Sequence, residues 1–138
     1  MTDVGLTHVA LEVSDLDASI AFYARFAGLH VVHRRPRVVW LSDKTRPFVI
    51  VLLEAERVGT TLRPVAHLGV ACSSREEVDR LSEIARCENR LIEGPTNSGP
   101  PVGYWAFLSD PDGHALELSY GQEVGLTVNH AGDPEGAG

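Results

Sequence analysis

Cysteine is scarce in this sequence, and long apolar runs are absent from it. Only Cys72 and Cys87 occur among 138 residues, too few for a disulfide framework and without the CxxC spacing typical of zinc or redox motifs. No apolar run approaches the roughly 18 residues that a membrane span requires. Residues 1–3 lack the basic and apolar regions of a signal peptide. These absences predict a cytoplasmic protein that does not enter a membrane.

Basic residues are also few. Twelve Lys and Arg stand against 19 Asp and Glu, for a net charge of -7, and this negative field disfavours nucleic acid and anionic membranes as partners. One short basic run, residues 33–37, predicts a solvated strand end, with contact to an anionic substrate group as the alternative. The length is enough for one domain with a sizeable core. The predicted partner is therefore a small-molecule substrate.

The order of predicted elements repeats along the chain. Residues 6–13 alternate as a strand, and apolar residues at helical spacing follow Ser14 and Asp17, which form a predicted capping box. Gly28 is placed to end this helix. Residues 65–72 restart the series, with a helix capped by Ser74. Each helix is followed by three strand-like runs, at residues 29–33, 38–41, 48–53, 90–93, 104–108 and 114–120.

This repetition predicts an α+β fold of two tandem βαβββ modules, one over residues 5–57 and the other over residues 63–121. Both belong to a single predicted domain over residues 1–122. Residues 123–138 lose the pattern and end rich in glycine, alanine and aspartate. They are predicted to form a C-terminal tail, either mobile or docked on a partner.

Three predicted strands each place one strong metal ligand among small neighbours. His8 and His67 occupy matching places in the two modules, and alternation puts each on the face opposite the apolar residues, as it does Glu117 in the last strand. Two imidazoles and one carboxylate can hold a divalent metal with coordination positions left open. A lone histidine is more often a hydrogen-bonded core residue, and a lone glutamate is usually solvated. The matched positions favour the metal hypothesis.

The segments THVALEVSDLDASIAFY (residues 7–23), AHLGVA (66–71) and AFLSDPDGHALEL (106–118) resemble the vicinal oxygen chelate superfamily. This superfamily includes glyoxalase I, fosfomycin-resistance enzymes and extradiol dioxygenases. The resemblance covers about residues 6–120. It implies a cupped mixed sheet with the helices on its outer face, and metal ligands at His8, His67 and Glu117. It also implies a homodimer, in which the ligands of one site can come from both chains.

The branches of the superfamily fit the sequence unequally. The fourth ligand of glyoxalase I-like enzymes aligns with the apolar Val51, which disfavours that branch. Fosfomycin-modifying enzymes need cations that are absent from residues 94–103 and from the stretch after Glu117, unless the arginines at 34–37 reach the site. Extradiol dioxygenases hold Fe(II) with two histidines and one glutamate, which agrees. Their proton-transfer residues do not align, and Tyr104 or His114 are the possible substitutes.

Aromatic and small side chains are expected to line an apolar pocket beside the metal, suited to an aromatic or otherwise hydrophobic substrate. Core packing is the alternative interpretation of the aromatic members. The expected pocket residues are Ala10, Trp40, Val51, Trp105 and Phe107.

The leading hypothesis is a metal-dependent enzyme with ring-cleaving, extradiol-type chemistry. Fe(II) is the favoured cofactor, with Mn, Co, Ni or Zn as alternatives. A glyoxalase-, lyase-, isomerase- or thiol-transferase-type enzyme is the alternative within the superfamily. A non-catalytic protein of the bleomycin-resistance type is a further alternative, for which the net charge of -7 suits a cationic drug. The last alternative is a regulatory domain with a vestigial metal site.

Overall fold

The computed structural model describes residues 3–131, which divide into two compact units. The first unit contains the described residues up to Leu68 together with Ser109–Leu116. The second contains Gly69–Leu108 and the described residues from Glu117 onward. The chain therefore passes three times between the units after the first module ends, at residues 68/69, 108/109 and 116/117.

The first unit contains a four-stranded mixed sheet in the order β1-β4-β3-β2. Strand β1 runs parallel to β4, and the other pairs are antiparallel. Leu11 and Val13 are buried on one face of β1, while His8, Ala10 and Glu12 are exposed on the other. The elements of this unit are β1 (His8–Val13), α1 (Leu16–Ala27), β2 (His30–Arg35), β3 (Val38–Ser42) and β4 (Val49–Glu54).

The second βαβββ series forms another four-stranded sheet, in the order β5-β8-β7-β6. Helix α2 buries the apolar stripe of Val78, Leu81 and Ala85, and Ala106 and Leu108 are fully buried in β7. The elements are β5 (Leu68–Ala71), α2 (Arg75–Cys87), β6 (Leu91–Asn97), β7 (Tyr104–Ser109), β8 (Ala115–Tyr120) and a short α3 (Val124–Asn129). The predicted α+β class and the repeated βαβββ order are confirmed.

The caps of the two helices agree with the sequence in part. Ser74 caps α2 as predicted, accepting a 3.1 Å hydrogen bond from the Glu77 amide. The predicted cap of α1 is wrong: Asp15 caps this helix by accepting from the Ala18 amide at 3.1 Å. Ser14 instead donates its hydroxyl to Asp112 at 2.5 Å. Gly28 ends α1 as expected, at φ 65° in the left-handed region that favours glycine.

Several element boundaries differ from the prediction. Strand β5 begins at Leu68, so His67 lies just before it, and β6 extends through Asn97, four residues beyond the predicted run 90–93. The predicted tail contains the helix α3, none of whose residues is buried, while residues 132–138 lie outside the described residues. The division into a domain over residues 1–122 and a tail stays a prediction.

None of the helices between residues 3 and 131 combines the length and the apolar character needed to cross a bilayer. A cytoplasmic location stays a prediction.

Candidate functional site

The register of the first sheet brings a row of four side chains together. Ala10 of β1 lies opposite Val51 of β4, and Val51 lies opposite Trp40 of β3. Trp40 in turn pairs with His33 of β2, and their ring centroids are 4.9 Å apart. Because directly paired residues share a face of a sheet, this row forms a continuous, mainly apolar strip.

A concavity of about 570 Å³ lies over this strip. Its volume is within the range of small-molecule sites, which are mostly apolar with a few polar groups. The structure places His8 and the sequence-predicted pocket residues Ala10, Trp40 and Val51 on its wall. Their role as substrate contacts stays a prediction. The remaining lining residues are Asp3, Thr7, Val32, Ser42, Arg46, Pro47, Phe48, Val49 and Leu53.

His8 is the first residue of β1, and its side chain is exposed at the concavity. Its Nδ1 lies 2.9 Å from the hydroxyl oxygen of Thr7. A hydroxyl can donate or accept, so this contact is compatible with either tautomer of the ring. The position leaves the imidazole at the edge of the apolar strip, where a bound molecule can reach it.

His67 is oriented by the backbone two residues before it. Its Nδ1 lies 2.8 Å from the carbonyl oxygen of Val65. A carbonyl only accepts, so Nδ1 must carry the proton, and in the neutral ring the lone pair is then on Nε2. This is the usual arrangement of a metal-ligating histidine, whose second nitrogen donates to a backbone carbonyl or a carboxylate.

Glu117 is a buried carboxylate in the second unit, with 8% of its surface exposed. The Nε2 group of Gln122 donates to its Oε2 at 3.2 Å. Gly69 of β5 lies beside it, since a Cβ at position 69 would be 3.4 Å from the same oxygen. The small residue in the neighbouring strand therefore leaves space around the carboxylate.

Trp105 and Phe107, the other predicted pocket residues, lie in β7 of the second unit. Their ring centroids are 5.2 Å apart, and the Trp105 indole donates to the Ser98 hydroxyl at 2.9 Å. They alternate with the fully buried Ala106 and Leu108, so they occupy the opposite face of the strand. The concavity over Trp40 is lined by residues of the first unit only.

Tyr104 faces the helix side of the second sheet. Its hydroxyl donates to Asp79 of α2, and the Arg75 guanidinium lies 5.1 Å from the centre of its ring. The hydrogen bond to Asp79 is the main reason why the pKa of Tyr104 is raised above its usual value. The contact directs the Tyr104 hydroxyl to α2, and a catalytic role for Tyr104 stays a prediction.

His114 is a buried structural residue, 1% exposed. Its Nδ1 accepts from the Leu62 amide at 2.8 Å, and its Nε2 lies 2.8 Å from the carbonyl oxygen of Glu12, to which it must donate. Both nitrogens are thus used in joining segments of the first unit. This geometry agrees with a turn residue and leaves no ring nitrogen for proton transfer.

Arg46 lines the concavity and was missed from the sequence. It lies in the connection between the strand-like runs 38–41 and 48–53, where strand alternation has no meaning. An arginine directly before the apolar residues 47–49 was the available signal. His33, which pairs with Trp40, lies beyond an irregularity between Val31 and His33 in the β2–β3 pairing, and such a bulge changes which face a side chain occupies.

The three predicted ligands are divided between the units, with His8 and His67 in the first and Glu117 in the second. Across residues 3–131, no group of three or more His, Cys, Asp or Glu side chains lies close enough to hold one metal ion. The assignment of these three residues as metal ligands stays a prediction.

Residues 5–118 match the family model of the Glyoxalase/Bleomycin resistance protein/Dioxygenase superfamily. The chain belongs to this superfamily. Its members are typically dependent on divalent metals and bind small-molecule substrates.

Relatives of known sequence or structure support this assignment. The uncharacterized protein PA2024 of Pseudomonas aeruginosa is 40% identical over 127 residues, covering 87% of this chain and 91% of that protein. A lactoylglutathione lyase of Arabidopsis thaliana is 28% identical, covering 80% of this chain but only 42% of that protein. The fosfomycin resistance protein FosX of Listeria monocytogenes, solved with Mn(II) and sulfate, has a TM-score of 0.71 at 19% identity, over 94% of this chain and 99% of that chain. At this identity the likeness to FosX shows the fold alone.

Proposed function

We propose that this protein is a divalent-metal-dependent enzyme acting on a small, largely apolar substrate that has two adjacent oxygen atoms. The observation that carries the proposal is the position of His8 at the edge of the apolar strip of Ala10, Val51 and Trp40. An imidazole beside an apolar concavity combines a metal ligand with a surface for the body of a substrate.

The proposed metal ligands are His8, His67 and Glu117. The donor set fits a divalent ion, because Val65 directs the lone pair of His67 to Nε2 and Glu117 supplies a buried carboxylate. When bound, the metal supplies Lewis-acid chemistry that polarises substrate oxygens or activates water or O2. FosX of Listeria is solved with Mn(II), and two imidazoles with a carboxylate also suit Fe(II), Co, Ni or Zn.

Ring-cleaving, extradiol-type chemistry with Fe(II) is the first reaction proposed, because two histidines and one glutamate form the ligand set of that class. Lyase or isomerase chemistry is the second, supported by the 28% identity to a lactoylglutathione lyase. Val51, 9% exposed and paired with Ala10 and Trp40, supplies no fourth ligand to the glyoxalase-type site.

We propose a homodimer in which His8 of one chain completes a site with His67 and Glu117 of the other. The proposal is supported by membership of the superfamily, since the resemblance to it implies a homodimer in which the ligands of one site can come from both chains.

Metal content tests the proposed function directly. The protein is purified anaerobically without an affinity tag, and its metals are quantified by mass spectrometry beside His8→Ala. We expect roughly one metal ion per chain in the wild type, as a complete set of protein ligands holds, and its loss in the variant. The matched control is His130→Ala, which removes an exposed imidazole from the end of α3.

The identity of the metal directs the next step. If the wild type contains iron and only His8→Ala loses it, catechol-type substrates are tested under O2. If the wild type contains another metal, lyase and isomerase substrates are tested. Equal metal in wild type and His8→Ala contradicts the assigned ligands. No metal in either protein after reconstitution contradicts the enzyme proposal and favours a binding role.

A further inference from the structure

We propose that Arg46 is an anion-recognition residue, and that the ligand of the concavity carries a carboxylate or a similar anionic oxygen group on an apolar body. The adjacent oxygens of that ligand rest on the proposed function, but the anionic group does not. Arg46 lines the concavity together with its neighbours Pro47 and Phe48. Consecutive residues therefore supply a cationic group and an apolar surface to the same concavity.

The hairpin that carries Arg46 is braced by its own side chains. The Ser42 hydroxyl accepts from the Lys44 amide at 2.8 Å. The Asp43 carboxylate accepts from both the amide and the hydroxyl of Thr45, at 2.9 and 2.6 Å. The Phe48 amide donates to the carbonyl of Arg46 at 2.8 Å. These bonds restrict the backbone on both sides of Arg46, so its position at the rim is preorganised.

The Arg46 guanidinium has no carboxylate within ion-pair distance among residues 3–131. Its Nε donates to the Thr45 hydroxyl over a long distance of 3.4 Å. Asp43 accepts hydrogen bonds from Thr45, which are the main reason for its lowered pKa, and the more distant charge of Arg46 is a smaller cause. Asp3 also lines the concavity but forms no ion pair with Arg46.

The other arginines of the first sheet do not line the concavity. Arg35 donates to Nε2 of His33 at 3.2 Å, and Arg37 lies 3.8 Å from the Glu54 carboxylate. Neither they nor Arg34 line the concavity. The sequence predicted the arginines at 34–37 as a possible contact for an anionic group. We assign this contact to Arg46, because it lines the concavity and they do not.

A guanidinium presents two parallel N–H donors that match the geometry of a carboxylate. Because Arg46 is exposed, water weakens the contact, and we expect a preference of about tenfold for an anionic ligand over its neutral counterpart, near the lower end for hydrogen bonds to charged groups. The overall charge of -7 opposes the approach of anions, so the preference must come from the local contact.

A matched pair of ligands tests the proposal, namely 3,4-dihydroxybenzoate and its neutral amide, 3,4-dihydroxybenzamide. Titration calorimetry measures the Kd of each for the full chain, both after chelator treatment and after metal loading. The proteins are the wild type, Arg46→Gln and the control Arg57→Gln, which removes an exposed arginine outside the concavity.

We expect the wild type and Arg57→Gln to prefer the benzoate about tenfold, and Arg46→Gln to bind both ligands equally with an unchanged Kd for the amide. A wild type without this preference, or a preference that survives in Arg46→Gln, overturns the anion site. Metal loading should tighten both ligands through their adjacent oxygens. If it does not, while the preference remains dependent on Arg46, the proposed function fails and the anion site stands.

Discussion

Tyr23 illustrates how a single buried side chain holds a distant turn. Its side chain is fully buried, and its hydroxyl donates to Oδ2 of Asp110 at 2.7 Å. The other oxygen of Asp110 accepts from the amides of Asp112 and His114, at 2.8 and 2.9 Å. Burial first, and then the Asp110 charge, raise the pKa of Tyr23 above its usual value. The hydroxyl thus stays protonated and continues to donate.

Tyr23→Phe should lower the free energy of unfolding by about 1–3 kcal/mol at neutral pH, because the buried Asp110 carboxylate loses a donor. The raised pKa of Tyr23 adds a pH dependence. The stabilisation from the protonated Tyr23 hydroxyl is complete below the unfolded-state pKa of about 10. It is lost as the pH rises above that value, because only the unfolded chain then releases the proton. Urea denaturation between about pH 7 and about pH 11 measures both effects.

The control for this comparison is Tyr120→Phe, which removes a hydroxyl from a side chain that is 43% exposed. Its stability should follow that of the wild type at each pH. A Tyr23→Phe protein that weakens in parallel with the wild type above about pH 10 would contradict the role given to this hydroxyl.

Individual site residues were predictable where a strand is regular. Alternation placed His8 and Ala10 on one face of β1, and pairing with Val51 and Trp40 carries that face across three strands. Alternation did not place Arg46, because it lies in a hairpin turn and has no strand face. The packing of Tyr104 against α2 was equally invisible, since it depends on Asp79 in another element.

Among the elements, the turn before β8 depends on tertiary contacts. Asp112 accepts from both the amide and the hydroxyl of Ser14, at 3.1 and 2.5 Å, over a separation of 98 residues. This contact removes Ser14 from the cap of α1, and Asp15 takes its place. The capping-box pattern identifies Ser14 as a suitable capping residue from its near neighbours alone. It contains no information about Asp112, which lies far along the chain.

Asp112→Ala should destabilise the chain by about 1–3 kcal/mol, because it removes two hydrogen bonds to a charged acceptor at one corner. Asp112→Asn keeps one carbonyl acceptor and should cost less. Thermal unfolding of both variants provides the measurement, with Glu56→Ala as the control for loss of an exposed carboxylate in the same unit. Equal melting temperatures for Asp112→Ala and the control would show that this corner contributes little.

Along the whole of the given sequence, the repeated order of elements was readable because hydrophobic periodicity changes between strand and helix twice in the same chain. Which residues form one compact unit was not readable from that order. The segment Ser109–Leu116 belongs to the first unit although it lies in the second repeat. Assembly was also beyond the sequence, since periodicity identifies buried faces without identifying what covers them.

Mixing two inactive variants tests the proposed sharing of ligands in a dimer. His8→Ala and Glu117→Ala each lack metal in every homodimer. Under the proposal, a mixed dimer has one intact site, so random pairing should restore about one metal ion per four chains. Coexpression followed by metal analysis and light scattering measures this value. Recovery of no metal in confirmed mixed dimers would contradict sharing between chains.

The segment Ser109–Leu116 lies in the second sequence repeat but belongs to the first compact unit. A sequence repeat and a compact unit are therefore different divisions of this chain. A cut in the connection near residue 60 would follow the sequence repeat. It would leave the first fragment without Asp110, which accepts from the Tyr23 hydroxyl, and without His114, which donates to the Glu12 carbonyl. The stretch of sequence that repeats is therefore not the stretch that folds as one compact unit. In this chain, the boundaries of the sequence repeat differ from those of the compact units.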